Sequence, residues 1–287
     1  MKLIKSNRRK AKIKMALQGP AGSGKTYSSL LIAEGLCSGD FSKVAVIDSE
    51  NGSSNLYSDL GDYYVIALEK HNPEEYIKAI ELCEREGMEV IIIDSITHAW
   101  EFLLDYHASL SGNSFTNWGK ITPRQKAFID KILNSTCHVI ATMRTKQDYV
   151  LNQKDGKYVP EKVGLKAVQR DGVEYEFTVI LDLDIKHFAT CSKDRTGLFM
   201  DKPEFQITRG VGRKIKQWCE QGIDLNPMKD RITNCSSQEE LNKLFHELAD
   251  YRVELNDDFV KQQKTIKDNQ MSNLKTFNSN GISKNEQ

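Results

Sequence analysis

The sequence predicts an α/β fold, with a doubly wound, mostly parallel sheet and a small C-terminal helical appendage. Between residues 12 and 143, short apolar runs alternate with longer stretches of helical periodicity. That order suits a parallel sheet whose crossovers are helices. Val44–Asp48 (VAVID) reads as one such strand, and Val90–Asp94 (VIIID) is apolar up to its last residue, as expected of a strand covered on both faces. Past residue 223 the strand pattern stops and one helical stripe of leucines remains.

In chain order, residues 12–18 read as the first strand. A glycine-rich loop and a helix over 25–37 follow, closing near Gly39. VAVID is the second strand and 63–68 a third. A helix over 73–86 is predicted by Tyr76, Ile77, Ile80 and Cys83, spaced by three and four. After VIIID come helices over 97–110 and 122–133, Pro123 suiting a first helical turn. Residues 138–143 form another strand. The segment 145–172 is polar and charged. Its Asp155–Gly156 turn signal, between 149–151 and 157–159, predicts a protruding hairpin. Strands over 177–183 and 187–191 share a tight turn, and a helix over 211–220 is stopped by Gly222 and Pro227.

Ser237 with Glu240 is a capping-box signature, and Leu241, Leu244, Phe245 and Leu248 follow as one apolar stripe. Beyond residue 267, Asn, Ser, Lys and Gln dominate, so no folded structure is expected there. The expected organisation is a basic arm (1–11), an α/β core (12–222), a helical unit (223–267) and a disordered tail (268–287).

Forty basic and forty acidic residues give zero net charge. This excludes a globally basic nucleic-acid coat but leaves room for local patches. Lys2, Lys5, Arg8, Arg9, Lys10, Lys12 and Lys14 make the first such patch, with no acid among them. No apolar run could span a bilayer or serve as a leader. The six cysteines are scattered without paired spacing. The expectation is reduced thiols in a cytoplasmic protein without membrane attachment.

Gly19-Pro20-Ala21-Gly22-Ser23-Gly24-Lys25-Thr26 fits GxxxxGK[ST], the phosphate loop also called Walker A. Its glycines allow backbone N–H groups to turn inward around phosphate, and the next helix directs its positive end to the same place. Lys25 is expected on the β/γ-phosphates of ATP and the Thr26 hydroxyl on Mg²⁺. Asp94 ends a buried strand, where its carboxylate is released beside that loop. It is assigned with Thr26 to the metal, although an aspartate there could also cap a helix.

In many ATPases of the AAA+ type a glutamate follows this aspartate; here Ser95 does, so a water-activating base must come from elsewhere. Glu50, just past VAVID, is the candidate. From position alone it could also be a solvated loop acid or a ribose contact. Asp48-x-Glu50 after one strand and Asp94-Ser95 after another resemble the RecA/RadA branch of P-loop ATPases. That resemblance implies a RecA-like P-loop NTPase in which Glu50 is the catalytic glutamate. Lys193-Asp194-Arg195-Thr196-Gly197 is similar to the Lys-x-Arg-x-Gly element of DnaB-type helicases and RadA. It implies that Lys193 and Arg195 reach the γ-phosphate of a neighbouring subunit, with ATP held between copies of a homo-oligomer; read alone, the motif is also an ordinary basic surface turn.

Over residues 12–220 the ordered motifs, with the stretch Thr142-Met143-Arg144-Thr145-Lys146 among them, look most like compact phage RecA-like ATPases, including the Sak group of single-strand annealing and recombination proteins. The cytoplasm would then be that of a bacterial host. Met143 and Arg144 replace the polar Asn or Gln that the RecA family uses as a γ-phosphate sensor. Arg144 is therefore a candidate cationic sensor.

Residues 144–170 carry a local excess of four positive charges, from Arg144, Lys146, Lys154, Lys157, Lys162, Lys166 and Arg170 against Asp148, Asp155 and Glu161. With Tyr149 and Tyr158 interleaved, the segment suits a single strand held by phosphate contacts and stacking, or a plain solvated hairpin. A loop over 111–120, with Phe115 and Trp118, would be a second DNA contact by the same resemblance. The function expected is a DNA-stimulated ATPase on single-stranded DNA in phage recombination or replication, working with other such proteins. The alternatives are a nucleotide-dependent oligomeric switch acting on a protein partner and, third, a hexameric helicase-like motor.

Overall fold

The computed structural model describes residues 10–154 and 157–281; the side chains of 147–164 and 270–281 lie outside that description. The chain divides into two compact units, one over 11–220 and one made of 1–10 with 221–287.

In the larger unit, nine strands among the described residues form the sheet: β1 (Lys14–Gly19), β2 (Val44–Asp48), β3 (Tyr64–Ala67), β4 (Val90–Asp94), β5 (His138–Lys154), β6 (Lys157–Ala167), β7 (Val179–Leu183), β8 (Phe188–Asp194) and β9 (Phe205–Gln206). Their order is β3-β2-β4-β5-β1-β7-β8-β9, with β6 paired to the outer part of β5. From β3 to β7 every pairing is parallel, while β8, β9 and β6 are added antiparallel. The fold is the mostly parallel α/β architecture expected of a P-loop NTPase.

The helices of this unit are α1 (Lys25–Leu36), α2 (Pro73–Arg85), α3 (Thr97–Ser109), α4 (Ser114–Asn134) and α5 (Arg209–Glu220). One core joins the α1 and α5 side of the sheet through residues such as Leu30, Leu36, Val211 and Ile215. The other joins the α2, α3 and α4 side through Tyr76, Ile80, Phe128 and Ile132. Burial on both faces explains why β2 and β4 carry no exposed position. Helices α1 and α5 approach closely because both contact residues are glycine. A Cβ on Gly35 would lie 2.3 Å from the Arg209 carbonyl oxygen, and one on Gly212 would lie 2.1 Å from that of Ile32.

Two local expectations need correction here. Residues 114–121 are helical, not loop, because Asn113 caps α4 by accepting a hydrogen bond from the Phe115 N–H at 2.8 Å. Pro123 therefore sits inside α4 rather than in its first turn; the carbonyl it crowds, four residues back, belongs to Gly119. The strand predicted to end at residue 143 runs on to Lys154 as one arm of a ribbon with β6. Arg144 thus sits where the parallel sheet ends and the ribbon begins.

The smaller unit contains α6 (Asn226–Thr233), α7 (Gln238–Glu247) and α8 (Asn256–Gly281). Ile232, Leu241, Leu244, Leu248, Leu255, Phe259 and Ile266 form its core. Both halves of the Ser237–Glu240 capping box are made. The polar stretch expected to be disordered is instead helical to Gly281. Its residues lack Pro or Gly before position 281, and buried Phe259 and Ile266 anchor the preceding turns, so the helix propagates. No helix among the described residues is long and apolar enough to cross a membrane.

Candidate nucleotide site

The parallel register brings the ends of β1, β2 and β4 to one edge, level with Arg144 inside β5. Gly19 pairs with Arg144 across β1 and β5, and Asp48 with Asp94 across β2 and β4. A cavity of about 940 Å³ opens there, lined among others by Lys25, Thr26, Glu50, Asp94 and Arg144.

The phosphate loop owes its shape to glycine. Gly22 and Gly24 have φ of 79° and 81°, a region that L side chains avoid. A Cβ on Gly19 would come within 2.5 Å of the Leu183 carbonyl oxygen. Lys25 folds back over the loop and donates to the carbonyls of Gly19 and Pro20, both at 2.9 Å. Burial lowers its pKa, opposed by the charges of Asp94 and Glu50. Ser23 Oγ is buried beneath the loop with no hydrogen-bond partner among the described residues.

Asp94 is 1% exposed. One carboxylate oxygen accepts from Thr26 Oγ1 and the other from Thr142 Oγ1, each at 2.5 Å. Burial pushes its pKa up despite these hydrogen bonds. A buried carboxylate in direct contact with a hydroxyl at a cavity wall is an all-oxygen donor set, the kind that suits Mg²⁺. The residues present fit that ion.

Glu50 and Arg144 form a bidentate pair, Nε to Oε1 at 3.0 Å and a terminal nitrogen to Oε2 at 2.5 Å. Burial raises the Glu50 pKa, but the Arg144 hydrogen bonds and charge, with His98 and Lys25, more than offset this and hold it below the ordinary carboxylate value. The Arg144 backbone N–H donates to Thr97 Oγ1 at 3.0 Å. His98 Nδ1 lies 2.8 Å from Ser49 Oγ, and its ring stacks on His71.

Lys193 and Arg195 do not line this cavity. Lys193 donates to the Glu174 carbonyl and Arg195 to that of Tyr175, each at 2.8 Å, around the exposed Tyr175 ring. Lys146 is exposed on β5. The side chains of Tyr149, Lys154, Lys157, Tyr158 and Lys162 lie outside the described residues; their backbones belong to the β5–β6 ribbon. Trp118 is half-buried on α4, stacked on His107 at 4.3 Å and Trp100 at 6.1 Å between ring centroids. Phe115, at 86% exposed, is the aromatic that this helix leaves open.

Several site residues escaped sequence reasoning. Thr142 is buried and does not itself line the cavity; the sequence offers it only as the first residue of the 142–146 stretch, with no sign that it holds Asp94. Tyr57, His187, Gln206 and Ile207 line the cavity from segments that come together only in the fold. His187 had one legible trace, a tight turn between two strands, and there it adopts a φ of 67° with its ring over Gly24.

A search of curated proteins finds no match. A family model described as an AAA domain matches residues 11–225, the whole of the sheet with its phosphate loop. The chain belongs to this AAA domain family of nucleotide-binding P-loop ATPases.

Proposed function

We propose that the protein hydrolyses ATP as a RecA-like assembly on single-stranded DNA, in the manner of the phage Sak-group recombination ATPases. The observation that carries the reading is the common edge at which the phosphate loop, Asp94 and the Glu50–Arg144 pair meet, with β5 running on from Arg144 into the charged ribbon.

The loop's N–H groups and the α1 N-terminus hold the phosphates, and Lys25 exchanges its two carbonyl partners for phosphate oxygens. Thr26 and Asp94 would hold Mg²⁺, which supplies charge neutralisation at the β- and γ-phosphates. Glu50 orients a water and takes its proton as the water oxygen attacks the γ-phosphorus; the bond to the β–γ bridging oxygen breaks and ADP and phosphate leave. A glutamate whose pKa is held down by Arg144 is a weak base, so the ion pair describes a resting arrangement. Phosphate oxygens compete for the same guanidinium and release the carboxylate.

In the assembly, Lys193 and Arg195 of one copy act on ATP bound by the next. The excess positive charge and tyrosines of residues 144–170 support contact with DNA. The experiment is ATP hydrolysis with and without single-stranded DNA across a salt series, with Glu50→Gln alongside. Stimulation that fades with salt is expected, and Glu50→Gln should bind ATP without turning it over. Hydrolysis indifferent to DNA at every salt concentration sinks the DNA reading. It would favour a nucleotide-dependent switch acting on a protein partner, which the zero net charge and the arginine at the sensor position support.

A further inference from the structure

Glu50 lies on a turn, not on a strand or helix, yet its placement must be accurate for the role proposed above. The fold supplies that accuracy through one buried side chain. Asp48 is 1% exposed. Its backbone is fixed in the sheet, with its carbonyl accepting from Leu68 N–H at 2.9 Å. Its carboxylate reaches forward instead of outward. Oδ1 accepts from the Glu50 N–H at 2.7 Å and the Gly52 N–H at 3.3 Å. Oδ2 accepts from the Ser54 N–H at 3.0 Å and the Ser54 hydroxyl at 2.5 Å. Asn51 and Gly52 take positive φ, 54° and 79°, which turns the chain back around the carboxylate.

We infer that Asp48 is a positioning residue for ATP hydrolysis, setting the turn that carries Glu50 at the cavity wall. The inference rests on the reading of Glu50 as the group that orients water. All four partners of Asp48 are donors, so only a group with acceptors on both oxygens satisfies them. Asparagine has the same shape but must turn its NH₂ either against the Glu50 and Gly52 N–H groups or against the Ser54 N–H, where only the Ser54 hydroxyl can rotate to accept it. Half of the turn then loses its anchor while the phosphate loop is untouched. A shift of about 1 Å in a catalytic group can cost on the order of 100-fold in rate.

The experiment measures kcat and KM for ATP in Asp48→Asn, Glu50→Gln and the double variant, with circular dichroism and thermal melting to verify the fold. The expected result is a loss of about tenfold or more in kcat for Asp48→Asn, KM within about threefold, and no further loss when Asp48→Asn is added to Glu50→Gln. A slow Glu50→Gln with a normal Asp48→Asn overturns this inference alone. So does a second full loss in the double variant, which would mean that Asp48 acts independently of Glu50. Normal turnover by Glu50→Gln overturns the glutamate assignment and this inference together. Should Asp48→Asn not fold, Ser54→Ala removes one donor to Oδ2 and leaves the carboxylate; it should lower kcat several-fold, about two to five, at unchanged KM. An unchanged kcat in Ser54→Ala overturns the inference.

Discussion

Arg144 is the residue at which stability and function separate most cleanly. Its pair with Glu50 is bidentate, but the two side chains are 44% and 22% exposed. Solvent-screened pairs of this kind contribute little to folding, about 1 kcal/mol or less. Removing Arg144 therefore should hardly move the melting temperature. If Arg144 senses the γ-phosphate as proposed, its effect on turnover should be large, because a cation that meets developing phosphoryl charge acts mainly in the transition state. Arg144→Ala is expected to melt near the wild type and to lose about tenfold or more in kcat, read by calorimetry and steady-state kinetics. A variant with normal kcat would leave Arg144 as a surface partner of Glu50 and nothing more. The residues of this site were unequally legible in the sequence. The phosphate loop could be found because its chemistry requires a fixed local spacing. Asp94 could be found because it ends an apolar run, and Glu50 because it follows one by two residues. Thr142 could be seen only as the first residue of the 142–146 stretch, since its role consists of a contact with a carboxylate from another strand, 2.5 Å away, and local pattern carries no trace of that.

Among the elements, those defined by their own periodicity were the ones most readily read. β2 and β4 match the residues 44–48 and 90–94 read from their apolar runs. Helix α4 was read too short because Pro123 resembles a helix start, whereas the real start is capped by Asn113, whose role is visible only through the Phe115 N–H. β5 was read too short because its outer half trades an apolar pattern for polar residues paired only with β6. Glycine shows the same dependence on partners. In the α1–α5 contact, Gly212 has no room for a Cβ, whereas Gly119 in α4 has nothing within 4 Å of the corresponding position. Gly212→Ala must push α5 off α1 and should destabilise the protein by roughly 1–3 kcal/mol or more. Gly119→Ala should be neutral or stabilising, by up to about 1 kcal/mol, through helix propensity. Thermal melts of the two variants check the contrast. Equal shifts would mean that the α1–α5 contact is more compliant than its backbone distances imply.

For the whole molecule, the proposal that Lys193 and Arg195 serve a neighbouring copy can be tested by mixing variants. Within one chain they do not line the nucleotide cavity, and their head groups donate to the carbonyls of Glu174 and Tyr175. Neutral carbonyls on an exposed surface hold a cation weakly compared with a phosphoryl group, so both side chains are available to a second copy. If that copy presents its nucleotide there, two defects on different chains should complement each other. Lys25→Ala spoils the phosphate loop but keeps Arg195; Arg195→Ala keeps the loop but lacks the cation. Each alone should hydrolyse ATP poorly. In a mixture, some interfaces join the intact loop of an Arg195→Ala subunit to the intact Arg195 of a Lys25→Ala subunit, and activity should rise above the sum of the two preparations. The rise should depend on total protein concentration, since it requires association. Activity that stays at the simple sum across all mixing ratios and concentrations would place the action of Arg195 outside any shared interface, and would leave the site to be completed by elements of the same chain.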